Sequence, residues 1–374
     1  MCRATRDRRR HCIVSFRRAS HCAGLLVSLV LMSSVASGAP MQADGKFVDP
    51  LDVSAQTTRF AATTQLGAIA RAGSRLVAVG VRGLIVLSDD GGGTWRQVAS
   101  PVGSDLVAVR FVSSRQGWAS GHDGVILATT DGGEHWVKQF DGRAAAALLK
   151  AHFAAQATSG DAVAARLLKE ITLNYQNGPT MPMLDLSFEN AQTGWAVGPF
   201  GTILGTHDGG KSWASWIEKV DNDKMLHYTA VSDVGGDVYL ASERGTLFKL
   251  DRLKERFIAI ATGYNGSFLG VVGSRGYVIG YGLGGSAYRS RDGGVSWQRL
   301  STGVHASLTG ACVLDDGRLL LAAQDGHLIM SGDEGDTFHS VAVPRQDLIT
   351  GVAPAGRNRV VLTGLGGTQI VNLH

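Results

Sequence analysis

Cysteine is scarce in this chain of 374 residues, and its positions argue against a disulfide framework. Three of the four cysteines, Cys2, Cys12 and Cys22, lie near the N-terminus, and only Cys312 follows them. The first three are expected to leave with a cleaved signal, so no internal pair remains and the fold must be held by packing and strand closure. Cys312 falls on a predicted inner strand, where we interpret it as a small buried apolar residue.

A charge excess of one sign is also lacking. The net charge of +4 arises in residues 1–36, which hold seven arginines and one aspartate, so the remainder carries −2. Without this tail, the composition shows no basic patch of the kind that binds nucleic acid or a membrane surface. We therefore expect no nucleic-acid partner and at most a peripheral association with a membrane.

The sequence has only one long apolar run, and it lies near the N-terminus. A basic stretch up to Cys22 is followed by the apolar run 23–36, which is too short for a confident membrane-spanning helix. This is the pattern of a secretory signal over residues 1–36, with cleavage after Ala36 or after Ala39. The sequence thus predicts an exported protein, periplasmic or secreted, which we expect to be a soluble monomer after cleavage.

A repeated motif organises the rest of the chain. The segment 197–213 reads as a short strand, a glycine turn, a second strand and a turn of the form Ser/Thr-x-Asp-x-Gly-x-Ser/Thr-Trp. The closing turn returns at 88–95, 129–136, 290–297 and 331–338, the last ending in Phe. In all five copies a glycine stands twelve residues before the closing aromatic residue; these glycines are Gly83, Gly124, Gly201, Gly285 and Gly326. A fixed offset of this kind indicates one supersecondary unit used many times.

The spacing of the turn glycines indicates seven units. Two weaker copies, at Gly245 and Gly367, complete a series with gaps of 41, 77, 44, 40, 41 and 41 residues. A pitch of ~40–45 residues with several short strands per unit is typical of a propeller blade. In the second unit, β-branched residues and alternation predict strands at 106–112, 117–120, 125–129 and 136–138. The predicted fold class is all-β, a seven-bladed propeller of four-stranded antiparallel blades over residues 47–374.

Two features of this propeller need separate predictions. The last unit stops after its third strand and would leave an unpaired edge, so we predict that the extended segment 47–60 supplies the missing outer strand and closes the ring. The long gap holds an insertion, residues 142–178, with two stretches of helix formers at 143–157 and 161–173. We predict a helical hairpin between blades 2 and 3, with Asp161 or Ser159 as the N-cap of its second helix.

The repeated turn is interpreted as structural. Its aspartate can accept backbone N–H bonds within the turn, and the glycine two positions later permits a positive φ. Its closing aromatic residue can bury a large area, worth roughly 2–3 kcal/mol. The structural set comprises Asp90, Asp131, Asp208, Asp292 and Asp333 with Trp95, Trp136, Trp213, Trp297 and Phe338. We assign these aspartates neither catalysis nor metal binding, because the turn already uses their lone pairs.

This turn is the Asp-box, or BNR repeat, and the segment 195–213 resembles the photosystem II stability/assembly factor family. The resemblance covers about residues 60–374, and the dipeptide Gly194-Trp195 returns as Gly117-Trp118. It implies an exported seven-bladed propeller, in this case a bacterial relative. It also implies a factor without enzymatic activity that holds a membrane protein or membrane complex during assembly, with no cofactor.

Blade topology predicts that the two faces of the ring differ. The Asp-box turns join the third and fourth strands on one face, while the Gly-x-x-Gly turns and the insertion emerge on the opposite, more varied face, which the helices are expected to roof in part. Recognition usually resides in such varied loops. The candidates for partner binding are Arg82, His122, Asp123, Phe200, Glu243, Arg244, Tyr281, Asp325 and His327. Arg and aromatic residues are typical anchors of protein interfaces.

Two other functions are weighed against protein binding. A glycoside hydrolase needs two carboxylates about 5–9.5 Å apart across a sugar. Asp105, Asp123, Glu243 and Asp325 are available, but we place them in different blades, and the Phe/Tyr-Arg-Ile-Pro signature that resemblance to sialidases would require is missing. A metal site made from His122, His327 and their neighbouring aspartates is not predicted, because their blades are not adjacent. A carbohydrate-binding module would need exposed Trp, and most Trp residues are assigned to boxes or strands.

Overall fold

The computed structural model describes residues 48–373. The predicted signal over residues 1–36, its cleavage sites and Phe47 lie outside this part. The described chain folds into seven sheets, each formed by one continuous stretch of sequence. The protein is a seven-bladed propeller, as the repeat predicts.

The first four blades each contain four strands in meander order. Blade 1 holds β1 (Leu66–Ala72), β2 (Arg75–Gly80), β3 (Ile85–Ser88) and β4 (Arg96–Gln97). Blade 2 holds β5 (Leu106–Phe111), β6 (Gly117–Gly121), β7 (Ile126–Thr129) and β8 (Val137–Phe140). Blade 3 holds β9 (Asp185–Phe188), β10 (Gly194–Val197), β11 (Ile203–Thr206) and β12 (Ala214–Ser215). Blade 4 holds β13 (Tyr228–Val234), β14 (Asp237–Ser242), β15 (Thr246–Asp251) and β16 (Arg256–Ala261).

The last three blades continue the series, but the final one is short of a strand. Blade 5 holds β17 (Phe268–Ser274), β18 (Tyr277–Gly282), β19 (Ala287–Ser290) and β20 (Gln298–Arg299). Blade 6 holds β21 (Leu308–Val313), β22 (Leu319–Ala323), β23 (Leu328–Ser331) and β24 (His339–Val341). Blade 7 holds only β25 (Ile349–Pro354), β26 (Arg359–Gly364) and β27 (Gly367–Asn372).

The prediction that segment 47–60 supplies a fourth strand to blade 7 is wrong for its described part. Residues 48–60 contain no strand, and they run along the rim of blades 2 and 1 instead. Leu51 is 1% exposed and packs in the core between these two blades, and the Ala55 N–H donates to Ser100 O. The described part of this segment therefore buries Leu51 between blades 1 and 2 and does not pair with β27. Only the short 3-10 turn Ala61–Thr63 reaches the start of β27.

Side-chain hydrogen bonds and packing close the ring. The Thr350 hydroxyl in β25 donates to Leu66 O in β1 at 2.6 Å, which joins blade 7 to blade 1. Thr309 and Thr229 make the equivalent bond to the next inner strand at two other blade junctions. Each of these threonines lies at a point where the inner strand shifts register by one residue against its neighbour, a β-bulge that recurs in six blades.

Small residues at these bulges line a central channel of about 610 Å³. They are Gly67, Ala108, Ala230, Gly270, Gly310 and Gly351. The adjacent inner strands approach closely here, and a Cβ on Gly67 would lie 2.8 Å from Leu106 O. Larger side chains at these positions would force the strands apart.

The insertion forms two helices that dock on the outside of blade 3. They are α1 (Gly142–Thr158) and α2 (Ala162–Asn174), with Asp141 and Asp161 as N-caps. Leu149 and Phe153 of α1 are fully buried in the core of blade 3, and His152 pairs with Glu218 at 2.9 Å. No residue of either helix lines the channel. Neither helix of the described part is long and apolar enough to cross a membrane.

Each Asp-box turn forms the same hydrogen-bond pattern. In blade 5 the Ser290 hydroxyl and the Ser296 N–H both donate to Asp292 Oδ1, at 2.7 and 2.9 Å, and the Ser296 hydroxyl donates to Oδ2. Gly294 has a φ of 101° and donates its N–H to Ser290 Oγ. In blade 1 the backbone and hydroxyl of Thr94 lower the pKa of Asp90 to about 2. The aspartate acceptors are therefore engaged within their own turns.

Candidate protein-binding surface

The loops between the second and third strands of each blade define one side of the ring, which we call the turn face. In blades 1 to 5 the residue before the turn glycine adopts a left-handed conformation. The φ values are 54° at Arg82, 56° at Asp123, 54° at Phe200, 54° at Arg244 and 62° at Gly284. Glycine adopts this conformation without strain, whereas other residues do so at a cost. Four blades thus retain a strained non-glycine side chain where blade 5 has glycine.

Three of these positions present their side chains to solvent, whereas Asp123 is half-buried. Arg82 and Arg244 are exposed, and Phe200 keeps 41% of its surface accessible. Leu283 and Leu365 are exposed on the turns of blades 5 and 7. The turn face therefore alternates apolar side chains on blades 3, 5 and 7 with charged ones on blades 1, 2, 4 and 6. A mixture of Arg and apolar anchors suits a protein interface.

Blades 1 and 2 bring three predicted site residues together. The Arg82 N–H donates to Asp105 Oδ1 at 2.7 Å, and the Ser104 hydroxyl donates to Asp123 Oδ2 at 2.7 Å. His122 N–H donates to Asp105 O, so this residue joins the same cluster. Asp105 and Asp123 therefore belong to one blade, which corrects the expectation that the four candidate carboxylates lie in different blades. The direct cause is that Asp105 immediately precedes β5.

Blades 3 and 4 form a second cluster around a residue that the sequence did not indicate. The ring of His227 lies 4.6 Å from that of Phe200, and its backbone N–H donates to Glu243 Oε2 at 3.1 Å. His227 precedes β13 and lies outside every repeated turn, so the repeat gave no reason to select it. It links Phe200 of blade 3 with Glu243 of blade 4.

Two other candidates behave differently. Asp325 and His327 pair with each other in the turn of blade 6 at 2.9 Å, remote in the ring order from His122. Tyr281 is not a turn residue: it lies in β18, is 9% exposed, and its hydroxyl lies over Gly270 beside the channel. Burial raises its pKa. The interpretation of Tyr281 as an exposed contact is therefore wrong, because the missing side chain at Gly270 leaves space that the ring fills.

The channel contains a buried charge that sequence reasoning missed. Asp185 in β9 is 4% exposed; its Oδ1 lies 3.0 Å from Arg110 Nη2 of blade 2, and its Oδ2 accepts from Val231 N–H of blade 4. Burial raises its pKa, and the charge of Arg110 partly offsets this rise. The sequence did contain an indication of this site. Six blades have Gly or Ala where the inner strands crowd the channel, and blade 3 alone has no small residue there. The carboxylate instead bridges both neighbouring blades.

Cys312 is half-buried on β21, and burial raises the pKa of its thiol to about 12. It therefore stays a neutral thiol at physiological pH, which is the opposite of an activated nucleophile. Within residues 48–373, no group of three or more His, Cys, Asp or Glu side chains is placed to hold a metal ion. The geometry of the turn face supports noncovalent recognition by turns held on a rigid scaffold.

Comparison with known proteins shows that part of the chain is similar to one protein family. Residues 161–261 match the family model described as photosynthesis system II assembly factor YCF48. A solved structure described as YCF48 bound to D1 peptide superposes with a TM-score of 0.60 and 16% identity, covering 86% of this chain and 96% of that one. Over residues 161–261 the chain is thus similar to the photosystem II assembly factor family.

Other solved structures share the architecture. YCF48 from Cyanidioschyzon merolae superposes with a TM-score of 0.58 and 16% identity, covering 86% of this chain and 98% of that one. The WD40 propeller domain of Doa1 gives a TM-score of 0.57 and 13% identity, covering 87% and 97%. At these identities the superpositions show the fold alone. No curated protein matches the sequence at a significant level.

Proposed function

We propose that this chain is a non-catalytic scaffold that binds a protein partner through its turn face and assists the assembly or stability of a membrane protein complex. The observation that carries the proposal is the strained turn repeated at Arg82, Asp123, Phe200 and Arg244. Four blades keep a side chain where glycine would be less strained, and all four turns lie on one face. Strain of this kind is maintained where the side chain is used.

The partner class is supported by the comparison. The YCF48 structure described above has a D1 peptide bound. In this chain, the clusters around Arg82 and around Phe200 and His227 supply cationic and aromatic anchors for a protein partner. Export, proposed from the sequence of residues 1–36, would place these anchors beside the outer surface of a membrane complex. Fractionation of cells that express the full chain tests the compartment.

Cross-linking in the native compartment tests the partner. The full chain should recover one membrane protein in preference to others, and Arg82→Glu with Arg244→Glu should lower its yield about tenfold or more. The control is Lys211→Glu, at an exposed position on the opposite, box-bearing face, which makes the same charge change as either Arg82→Glu or Arg244→Glu alone. Equal losses from both faces would contradict the proposed surface. A partner that is soluble would contradict the membrane-complex part alone.

An Asp-box glycoside hydrolase is the second candidate, because Asp105 and Asp123 share blade 2. Each already accepts a hydrogen bond from a neighbouring loop, from Arg82 N–H and from the Ser104 hydroxyl, which favours a positional role. A panel of chromogenic glycosides tests this alternative. Turnover that is abolished by Asp123→Asn or Glu243→Gln would replace the scaffold proposal with a hydrolase.

A further inference from the structure

The polar side chains of the central channel lie together on one side of it. Asp185 of blade 3 lies at the level where the inner strands crowd together, and the hydroxyl of Tyr281 of blade 5 reaches the same level, where a Cβ on Gly270 would be. Two positions further along the inner strands, the channel is lined by Arg110, Ser187 and Ser232. These groups come from four consecutive blades, 2 to 5.

Three hydroxyl groups of this set make no hydrogen bond to any residue of the described part. Tyr281 is 9% exposed and Ser187 is 8% exposed, and both line the channel. Burial raises the pKa of Tyr281, and no hydrogen bond offsets this rise. Ser232 is half-buried beside them. Buried hydroxyl groups are nearly always hydrogen-bonded in folded proteins, so these three point to a bound group that supplies their partners.

The charges of the channel favour a neutral ligand. Within residues 48–373, the charged side chains that line it are two arginines and two aspartates, Arg71, Arg110, Asp185 and Asp233, so its lining carries no net charge. Arg110 Nη2 donates to Asp185 Oδ2 at 3.2 Å, and Arg71 pairs with Asp315. A charged ligand would bring an unpaired charge into this balanced lining, which costs free energy.

The other side of the channel is small and apolar. At the level of Asp185 it consists of Gly310 of blade 6 and Gly351 of blade 7, and a Cβ on Gly310 would lie 3.4 Å from Gly351 Cα. The channel volume of about 610 Å³ lies within the range of about 300–1,000 Å³ that is typical of small-molecule sites. A ligand that suits both sides presents polar groups along one edge and C–H groups along the other.

Hydroxyl groups meet the polar requirement best. A ligand that enters a polar channel displaces water, and affinity is lost unless the ligand reproduces the hydrogen bonds of that water. A hydroxyl group donates and accepts as water does, so it can pair with the Tyr281 and Ser187 hydroxyls and with the Arg110–Asp185 pair alike. A cyclic polyol carries several hydroxyl groups on one rigid ring, which limits the conformational entropy lost on binding.

We propose that the central channel binds a small neutral polyhydroxyl ligand, a monosaccharide or a cyclitol. The hydroxyls of Tyr281, Ser187 and Ser232 and the Arg110–Asp185 pair bind its hydroxyl groups, while Gly310 and Gly351 pack against its C–H groups. This site is separate from the turn face, and it does not depend on the function proposed for that face.

Isothermal titration calorimetry on the full chain tests the ligand class. The neutral probes are D-glucose and myo-inositol, and at least one should bind with a Kd of about 1 mM or tighter. D-glucosamine and D-glucuronate keep the same kind of ring and add a positive or a negative charge. Both should bind at least about tenfold more weakly than the better neutral probe. Tighter binding of either charged probe would overturn the proposal, and so would an absence of binding by both neutral probes, which would mean that the channel takes water only.

Matched variants locate the site. Tyr281→Phe and Ser187→Ala each remove one channel hydroxyl and should weaken the bound probe about fivefold or more. Neither variant removes a hydrogen bond among the described residues, so thermal unfolding should show both to be folded. Tyr288→Phe is the control, because Tyr288 is half-buried in β19 and does not line the channel.

The amide resonances of Gly270 and Gly310 should shift on addition of the bound probe. Unchanged affinity in Tyr281→Phe and Ser187→Ala, or an equal loss in Tyr288→Phe, would place the probe elsewhere and overturn the proposal. Arg82→Glu with Arg244→Glu should leave the affinity for the probe unchanged, so failure of the turn-face proposal remains separable.

Discussion

The Thr350 hydroxyl donates a 2.6 Å hydrogen bond to Leu66 O, across 284 positions of sequence. Leu66 is fully buried, so water cannot replace this donor. The bond lies at the single junction where the last blade meets the first. Arg71 Nη1 of blade 1 also forms an ion pair with Asp315 Oδ2 of blade 6 at 3.2 Å. This ion pair connects the two blades that lie on either side of blade 7.

Loss of the Thr350 donor should weaken ring closure. Thr350→Val keeps the shape of the side chain but leaves Leu66 O without its partner, so we expect a loss of about 1–3 kcal/mol in the free energy of unfolding. Thr368→Val is the control, since Thr368 lies in the same blade and makes no side-chain hydrogen bond among the described residues. It should stay within about 0.5 kcal/mol of the wild type. Urea unfolding measures both, and equal effects would contradict the closure role.

The strained turns predict an unusual stability pattern. Arg244 has a φ of 54°, so Arg244→Gly should leave the free energy of unfolding unchanged or raise it by up to about 1 kcal/mol, whereas Arg244→Val should lower it by about 1–3 kcal/mol. Gly284 occupies the equivalent position in blade 5 with open space around its Cα, so Gly284→Ala should cost about 1 kcal/mol. Thermal unfolding compares the three. A destabilising Arg244→Gly would show that the side chain stabilises the fold.

The buried carboxylate of Asp185 should make stability depend on pH in a defined direction. Burial raises its pKa in the folded state, so the folded protein binds this proton more tightly than the unfolded chain does. Its contribution to stability is therefore largest below the unfolded pKa and declines as pH rises through the folded pKa. Asp185→Asn keeps an acceptor for Val231 N–H and removes the titration. Wild type should thus lose stability relative to Asp185→Asn as pH rises from about 4 toward 7.

A series of urea unfolding curves across that pH range gives the difference between the two proteins. A difference that does not change with pH, or that changes in the opposite direction, would mean that Arg110 outweighs burial at this site. Asp316→Asn is a suitable control, because Asp316 is a solvent-facing carboxylate held by Arg318, and that hydrogen bond lowers rather than raises its pKa.

Trp118 should be among the most sensitive positions in the ring. Its side chain is fully buried, its ring stacks on Phe188 of blade 3 at 3.5 Å, and its Nε1–H donates to Gly209 O in the next box turn. Trp118→Ala should cost about 3–5 kcal/mol through the cavity it leaves. Trp118→Phe keeps the stacking and loses the hydrogen bond, so about 1–2 kcal/mol is expected. Chemical denaturation measures both, and similar losses would show that the hydrogen bond dominates.

The sequence predicts most of the fold because each blade repeats the same local chemistry. The constant spacing of the turn glycines and the residues of the Asp-box belong to turns of only a few residues. The conformation of such turns is determined by the φ angles they require and by short-range hydrogen bonds. Blade number and the order of strands within each blade follow from them. The position of segment 48–60 does not, because it depends on whether Leu51 is better buried between blades 1 and 2 or left outside, which is a tertiary competition.

The candidate surface is less accessible to sequence reasoning for a similar reason. The exposed turns of Arg82, Phe200 and Arg244 are recognisable because they occupy fixed places in the repeat. Asp185, His227 and the true position of Tyr281 depend on contacts between different blades. A pattern within one unit carries no information about such contacts, apart from the missing small residue in blade 3.

Because no described strand is shared between the first and last blades, the junction between them can be opened without unzipping a sheet. A load that pulls blade 7 away from blade 1 acts directly on the Thr350 and Arg71 contacts and on the side-chain packing between the blades. The mechanical resistance of the ring is therefore set at this one seam.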